Sequence, residues 1–254
     1  MQSVHHYENF PVASLLCPPH LRPPIQAIYH FARTADDLAD EGDASPEARL
    51  KALQTLRQDL LLCLEEPEFV STQWPQILNA LRGQVKTFDL PVPLLLDLLD
   101  AFAQDVDYTR QARRYASRAE LLDYCRRSAN PIGRLLLHLY GVSDAASLQQ
   151  SDAVCSALQL INFWQDLSVD VPRGRHYLHE NADLQDEMAF AKALMLQGAP
   201  LVHRVPGRAG WELRLVVQGG LCILDKCWRT DTYTTRPVLT WRDSPGMLWQ
   251  ALKM

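Results

Sequence analysis

One short acidic segment constrains this chain more than any other part of its sequence. Residues 31–43, FARTADDLADEGD, hold five carboxylates among Phe, Ala and Leu. Asp36, Asp37 and Asp40 fall within about one turn of a helix. Carboxylates this close repel each other, and an apolar setting raises the cost of ionising them. In the folded protein, this cluster must either be neutralised by positive charge or have a function that requires its negative charge.

The acidic residues belong to one polar stripe of a predicted helix. Tyr29, Arg33, the pair Asp36 and Asp37, and Asp40 follow each other at spacings of three and four, which places them on one face. The other faces carry Ile25, Ile28, Phe31, Ala32, Ala35, Leu38 and Ala39. A helix that is apolar around most of its circumference is normally buried. The stripe is therefore predicted to face the interior of the protein.

A second segment repeats this design. Gln159, Asn162, Asp166 and Asp170 again lie at spacings of three and four, in a segment rich in Leu, Ile, Phe and Trp. Unpaired buried carboxylates are costly, so either basic side chains or cations must neutralise both stripes. Few lysines lie nearby, which favours a hard cation such as Mg²⁺ that takes oxygen ligands from one or two carboxylates, water and substrate phosphates.

The basic residues near the stripes bear on whether basic side chains or cations neutralise the carboxylates. Arg33, Arg173 and Arg175 are predicted to meet phosphate oxygens rather than the carboxylates. An acidic string on a helix is, taken alone, more often a solvated face. The second stripe at matching spacing favours the metal interpretation, and both interpretations stay open from the residues alone.

Composition and length narrow the class of protein. The chain has 254 residues, 47% of them hydrophobic, and a net charge of −5. This is enough for a large core, and the mild acidity argues against nucleic acid as a partner. No uninterrupted apolar run reaches the roughly 18–20 residues that span a bilayer. The N-terminal residues show no signal peptide, and the six cysteines form no CxxC pair, so we expect reduced, mostly buried thiols in a cytoplasmic protein.

The periodicity is helical throughout. Helices are predicted over residues 20–40, 45–66, 93–108, 117–141, 152–170, 210–228 and 244–252. Pro131 is expected to kink the fourth of these. Strand signals are poor, so residues 1–254 are predicted to form one all-α domain. Met188, Met195 and the tryptophans are most simply part of its core.

Three motifs in this order give the chain a family resemblance. YHFARTADDLAD, YCRRSANPIGRLL and LQLINFWQDLSVDVPRGRHYL resemble the squalene/phytoene synthases, the trans-isoprenyl diphosphate synthases that join prenyl chains head to head. The resemblance covers most of the chain. It implies an all-α isoprenoid-synthase bundle, a single domain with a central apolar cavity. The two acidic motifs would face each other across the mouth and hold Mg²⁺ against a substrate diphosphate.

The resemblance also implies a role for each matching residue. The expected catalytic residues are Asp36, Asp37, Asp40, Asp166, Asp170 and Tyr124. The expected metal ligands are Asp36, Asp40, Asn162, Asp166 and Asp170. The expected substrate-binding residues are Ser14, Tyr29, Arg33, Gln159, Asn162, Arg175 and Tyr177.

Within the family, the chain is most similar to the hydroxysqualene synthases of bacterial hopanoid biosynthesis. This similarity implies ionisation of presqualene diphosphate and capture of the carbocation by water, which yields hydroxysqualene and diphosphate without a nicotinamide. The partner would be that prenyl diphosphate. The location would be cytoplasmic, with at most peripheral contact at the inner membrane.

The chain departs from the family pattern in two places. Head-to-head synthases usually carry Arg directly before the first Asp of the second motif, where this chain has Gln165. Residues 179–195 are short where relatives have an additional loop and helix. A condensing synthase that makes presqualene diphosphate, squalene or phytoene is the first alternative, and Gln165 weighs against it. A non-catalytic assembly or binding protein is the second, and the intact aspartates weigh against that.

Overall fold

The computed structural model describes residues 17–254, and every regular element within them is helical. The long helices are α1 (Arg22–Asp40), α2 (Pro46–Glu65), α3 (Pro75–Phe88), α4 (Val92–Arg110), α5 (Arg118–Ser128), α6 (Asn130–Leu139) and α7 (Ala145–Gln165). After the short α8 (Leu167–Asp170) come α9 (Leu184–Gly198), α10 (Gly207–Arg229) and α11 (Ser244–Lys253). Three short 3₁₀ turns cover Pro19–Leu21, Val171–Arg173 and Ala199–His203. The all-α prediction is confirmed, while the single domain over 1–254 stays a prediction.

Local signals explain where several helices begin. The side chain of Ser45 accepts a hydrogen bond from the Ala48 amide at 3.3 Å, and Pro46 occupies the first position of α2. The side chain of Ser117 accepts one from the Glu120 amide, also at 3.3 Å. Both satisfy backbone N–H groups that have no partner within the first turn of a helix.

Two predicted helices are divided in the structure. The helix expected over 117–141 breaks at Ala129, because Pro131 lacks an N–H and fits only the first turn of a new helix, α6. The helix expected over 152–170 ends at Gln165, so Asp166 lies at the junction with α8. Helices α3 and α9 were not predicted, because their apolar residues are interrupted by Gly and by charges.

Helix α7 is central to the packing, with α5, α6, α9 and α10 around it. One buried cluster surrounds α7, and a second joins α1 to α4. All six thiols are unpaired and four of them are buried, as predicted. The prediction that the tryptophans are core is correct for Trp164 but wrong for Trp211, Trp241 and Trp249, which are exposed. Within residues 17–254, no helix combines the length and apolar character that crossing a bilayer requires.

The predicted apolar cavity lies between α1, α6, α7 and α10 and has a volume of about 820 Å³. Apolar residues form most of its wall, among them Ile25, Ile28, Leu98, Phe102, Ile132, Leu136, Leu158, Ile161, Leu213, Val216 and Ile223. The cavity therefore offers a long hydrocarbon a surface that helices from both buried clusters provide.

Close packing of α9 on α7 depends on Gly198. A Cβ at this position would lie 2.6 Å from the Gln150 carbonyl oxygen and 2.8 Å from the Val154 amide nitrogen. We expect Gly198→Ala to lower the free energy of unfolding by roughly 1–3 kcal/mol, because backbone atoms of α7 would have to shift. Urea denaturation measures this change.

Gly83→Ala is the matched control for this substitution. Gly83 is an exposed residue inside α3, and nothing lies within 4 Å of its added Cβ. It should stabilise the protein by about 0.5–1 kcal/mol through helix propensity. Equal effects of the two substitutions would contradict the packing argument.

Candidate active site

The cavity has one polar end, built by three parts of the chain. Helix α1 contributes Tyr29, Arg33 and Asp36, and the last turns of α7 contribute three polar side chains. The segment between α10 and α11 adds Arg236. The α7 residues are Gln159, Asn162 and Gln165. The structure thus brings the predicted polar stripes of α1 and α7 to the same end of an apolar cavity.

Arg33 holds the acidic residues of α1. Its Nη1 lies 3.0 Å from Asp36 Oδ2, and its Nη2 lies 2.7 Å from Asp37 Oδ1. The same Nη2 lies 3.2 Å from Glu41 Oε1. One guanidinium therefore compensates three carboxylates near the C-terminal end of α1.

Arg175 links the two acidic motifs. Its Nη2 lies 2.9 Å from Asp40 Oδ2, and its Nη1 lies 3.8 Å from Asp170 Oδ1. The other oxygen of Asp40, Oδ1, is buried and accepts no hydrogen bond from the described residues. The two motifs face each other closely enough for one guanidinium to reach both.

Asp166 is held by a residue that the sequence analysis did not single out. Arg236 donates to Asp166 through Nε, and its Nη2 lies 3.4 Å from Asp166 Oδ2. Asn162 Nδ2 also donates to that Oδ2 at 2.8 Å. Arg236 lies 70 residues from its partner along the chain, so no helical spacing could have shown the contact.

These contacts correct one prediction about the basic residues. Arg33 and Arg175 were expected to meet phosphate rather than the carboxylates, and in this ligand-free arrangement they pair with carboxylates. Arg173 is exposed. Basic side chains therefore neutralise part of both stripes.

The arginines neutralise the carboxylates only in part, as the pKa values of Asp36 and Asp170 show. Burial, together with the neighbouring carboxylate of Asp40, raises the pKa of Asp36 to about 7 despite Arg33. Burial also raises the pKa of Asp170 to about 7, and Arg175 opposes this rise only in part. Each motif therefore contains one carboxyl group that resists ionisation in the absence of further positive charge.

Asp105 is a second residue that the sequence analysis missed. This α4 side chain is partly buried beside Arg175, and the Tyr177 hydroxyl donates to its carboxylate, with O–O distances of 2.9 and 2.8 Å. Burial raises the pKa of Asp105, and Arg175 opposes the rise. An aspartate inside the apolar segment LLLDLLDAFAQDVDY was the available signal.

Tyr124 and Tyr177 belong to an aromatic cluster. The Tyr177 ring stacks on Phe163 with centroids 3.7 Å apart, and Tyr124 lies 6.1 Å from Phe163 and 6.2 Å from Tyr177. Burial raises the pKa of both hydroxyls well above the usual value, so they stay protonated. Neither tyrosine is among the described residues that line the cavity.

The remaining predicted residues are placed as follows. Gln165 is buried, and its Nε2 donates to the Pro237 carbonyl at 2.6 Å. Ser14 lies outside the described residues. In residues 17–254, no three His, Cys, Asp or Glu side chains come together as a metal-binding group. The catalytic, metal-binding and substrate-binding roles all stay predictions.

Comparison with known proteins places the chain in a family. The family model for squalene/phytoene synthase matches residues 3–182. The chain therefore belongs to the squalene/phytoene synthase family, which confirms the resemblance read from the three motifs.

Individual relatives show which members of the family the chain is similar to. The chain is 41% identical over 168 residues to the hydroxysqualene synthase of Zymomonas mobilis, across 65% of this chain and 52% of that protein. It is 40% identical over 169 residues to the hydroxysqualene synthase of Sinorhizobium fredii, across 66% and 53%. The chain spans about half the length of these curated relatives. A solved squalene synthase from Alicyclobacillus acidocaldarius is 34% identical, covers 91% of each chain and has a TM-score of 0.77, which confirms the isoprenoid-synthase fold.

The raised pKa of Asp170 predicts how stability depends on pH. An Asp carboxyl titrates near pH 4 in an unfolded chain, whereas the pKa of Asp170 is about 7 in the folded, ligand-free protein. Between these values the folded state holds a proton that the unfolded state has lost. The stability that this group contributes is therefore fully present below about pH 4 and is lost as the pH rises through about 7.

Asp170→Asn should remove this loss of folding stability at higher pH. We expect its free energy of unfolding to exceed that of the wild type by a margin that grows between about pH 4 and pH 7, to the order of 2 kcal/mol. Urea denaturation in EDTA measures the margin, and Asp43→Asn, at an exposed carboxylate, is the matched control. A margin that is constant with pH, or that shrinks as pH rises, would show that Asp170 is not the group responsible.

Proposed function

We propose that this protein ionises presqualene diphosphate in an Mg²⁺-dependent reaction and lets water capture the carbocation, giving hydroxysqualene and diphosphate. The observation that carries the proposal is the cavity of about 820 Å³, apolar along most of its wall, whose polar lining includes Arg33, Asp36, Asn162 and Arg236. A prenyl diphosphate has the matching division, with a long apolar chain and a compact anionic head. The names of the relatives from Zymomonas mobilis and Sinorhizobium fredii support the choice of product.

The residues present fit a divalent cation. Asp36, Asp40, Asp166 and Asp170 supply hard oxygen donors, and the buried Oδ1 of Asp40 has no hydrogen-bond partner among the described residues. The raised pKa values of Asp36 and Asp170 mark a deficit of positive charge. Mg²⁺ typically takes one or two carboxylates and completes its shell with water and substrate phosphate, so the site does not need three acidic ligands already assembled.

Asp36 and Asp40 in the first motif, and Asn162, Asp166 and Asp170 in the second, would hold the metal. When bound, Mg²⁺ would act as a Lewis acid that neutralises charge on the departing diphosphate oxygens. Because Arg33, Arg175 and Arg236 occupy these carboxylates without ligand, we propose that the carboxylates become available when a diphosphate draws the guanidinium groups to itself.

The chain's own groups account for the remaining steps. Guanidinium groups bind the diphosphate and offset the negative charge that grows as the carbon–oxygen bond breaks. The apolar wall excludes bulk water, so the carbocation is exposed to few nucleophiles. The amides of Gln159 and Asn162 line the polar end, where they can hold one water by hydrogen bonds.

The product formed in ¹⁸O-labelled water tests this proposal. We expect the purified protein, with Mg²⁺ and presqualene diphosphate, to yield an alcohol that carries ¹⁸O, without NADPH. Farnesyl diphosphate alone should give little or no product, because Gln165 removes one cation from a site that would have to manage two diphosphates. Mass spectrometry of the extracted lipids provides the measurement.

Asp36→Asn and Asp166→Asn should each abolish this turnover, as should EDTA. The matched control is Asp100→Asn, which removes an α4 carboxylate paired with Arg57 at 2.5 Å and absent from the described cavity lining. An unlabelled alcohol, or full activity in EDTA, would contradict the proposal.

One alternative has support of its own. The solved relative from Alicyclobacillus acidocaldarius is named a squalene synthase, and this name supports a condensing activity as the alternative. Efficient conversion of farnesyl diphosphate alone, or squalene formed only with NADPH, would favour that alternative. Absence of turnover with either substrate would favour a binding protein.

We further propose that the protein contacts an anionic membrane surface peripherally through its C-terminal helix α11 and the turn that precedes it. Trp241, Trp249 and Leu252 are 79%, 59% and 61% exposed. Arg242 lies 5.6 Å from the Trp241 ring centroid, and Lys253 lies 4.6 Å from that of Trp249. Indole rings flanked by cations suit the headgroup region of a bilayer.

The charge of this region supports an anionic partner. Residues 199–254 carry eight Lys and Arg against four Asp and Glu, although the whole chain has a net charge of −5. The cytoplasmic location stays a prediction.

Replacing both exposed indoles should weaken vesicle binding. We expect Trp241→Ser/Trp249→Ser to bind vesicles containing anionic lipid several-fold less than the wild type, because apolar area and indole anchors are lost. Co-sedimentation measures binding, and Val70→Ser, at a 51% exposed apolar residue far along the chain, is the control. Equal binding by the double variant and the wild type would exclude this surface.

A further inference from the structure

The position directly before Asp166 departs from the family pattern and has an unexpected contact. Gln165 is 1% exposed, and its Nε2 donates to the Pro237 carbonyl oxygen at 2.6 Å. The partner lies 72 residues further along the chain, in the segment between α10 and α11. The amide therefore binds the C-terminal segment rather than an acidic side chain of its own motif.

Gln165, the last residue of α7, and Asp166, which follows it, contact two consecutive residues of that segment. Gln165 binds the backbone of Pro237, and Asp166 pairs with the guanidinium of Arg236. Proline has no N–H, so the carbonyl is the only hydrogen-bonding group that Pro237 offers. Because the proline ring also fixes φ, holding this carbonyl restricts where the preceding Arg236 can lie.

We propose that Gln165 is a positioning residue that keeps Arg236 beside Asp166 at the polar end of the cavity. Arg236 then supplies a single positive charge beside Asp166 from the C-terminal segment, and the neutral Gln165 adds no second one. The assignment of that charge to a diphosphate rests on the proposed function. The positioning itself rests on the contacts of Gln165, Arg236 and their partners.

The same geometry explains why residue 165 is a neutral glutamine rather than an arginine. An Arg at position 165 would add a second guanidinium beside Arg236, and like charges at this distance repel in a partly buried site. Gln provides a donor for the Pro237 carbonyl without that repulsion. A second tether, from Lys226 Nζ to the Val238 carbonyl at 2.8 Å, holds the next residue from α10.

Hydrogen–deuterium exchange of the ligand-free protein tests the positioning. Gln165→Met keeps the volume and removes the donor, so peptides covering residues 236–242 should exchange several-fold faster, while those of α2 and α3 stay unchanged. Gln149→Met, at an exposed residue of the same helix, is the matched control. Unchanged exchange in residues 236–242 would overturn the proposal. Gln165→Asn, whose amide is too short to reach Pro237, should have the same effect if Gln165→Met does not fold.

A double-mutant cycle on pyrophosphate binding tests the consequence. By calorimetry with Mg²⁺, Arg236→Gln should weaken the affinity for pyrophosphate about tenfold, since it removes a charge-assisted contact. Gln165→Met should weaken it by a similar factor, and the double variant no further than Arg236→Gln alone. Additive losses, or no loss in Gln165→Met, would overturn the proposed link between the two residues.

These two experiments separate this inference from the proposed function. If the wild-type protein fails to bind pyrophosphate with Mg²⁺, the diphosphate role of the site is wrong. The exchange measurement needs no ligand, so it decides the positioning by Gln165 in either case.

Discussion

The pairing of carboxylates with arginines at the polar end of the cavity is the interaction on which the rest of the structure depends. Arg175 lies between Asp40 of α1 and Asp170 of α8, and so joins the buried cluster of α1–α4 to that around α7. Without such a cation, two acidic helices could not approach each other in an apolar setting, because the charged forms would be desolvated and would repel.

The same pairing explains how so many carboxylates can lie together in a partly buried site. Three guanidinium groups occupy the carboxylates that we propose as metal ligands, and two of those carboxyl groups still have pKa values near 7. A diphosphate would compete for the guanidinium groups, while a divalent cation would compete for the carboxylates. Each ligand therefore favours the other, since each releases the partner that the other needs.

Helical periodicity allowed much of this site to be predicted. The spacing of Asp36, Asp40, Asp166 and Asp170 was enough to place both acidic stripes on inward faces, and a core of seven helical segments followed from the same pattern. Contacts between distant parts of the chain were beyond such reasoning. Arg236 meets Asp166 across 70 residues, and Tyr177 meets Asp105 across 72. Spacing within a helix contains no information about either contact. The exposure of Trp241 and Trp249 likewise depends on how α11 and the turn before it pack.

Calorimetric titration with Mg²⁺, with and without pyrophosphate, tests the central claim most directly. If arginines hold the carboxylates until a diphosphate arrives, Mg²⁺ alone should bind weakly, and saturating pyrophosphate should raise its affinity at least tenfold. Linkage requires that Mg²⁺ raise the affinity for pyrophosphate by the same factor. Tight binding of Mg²⁺ alone, with an affinity that pyrophosphate leaves unchanged, would contradict the account.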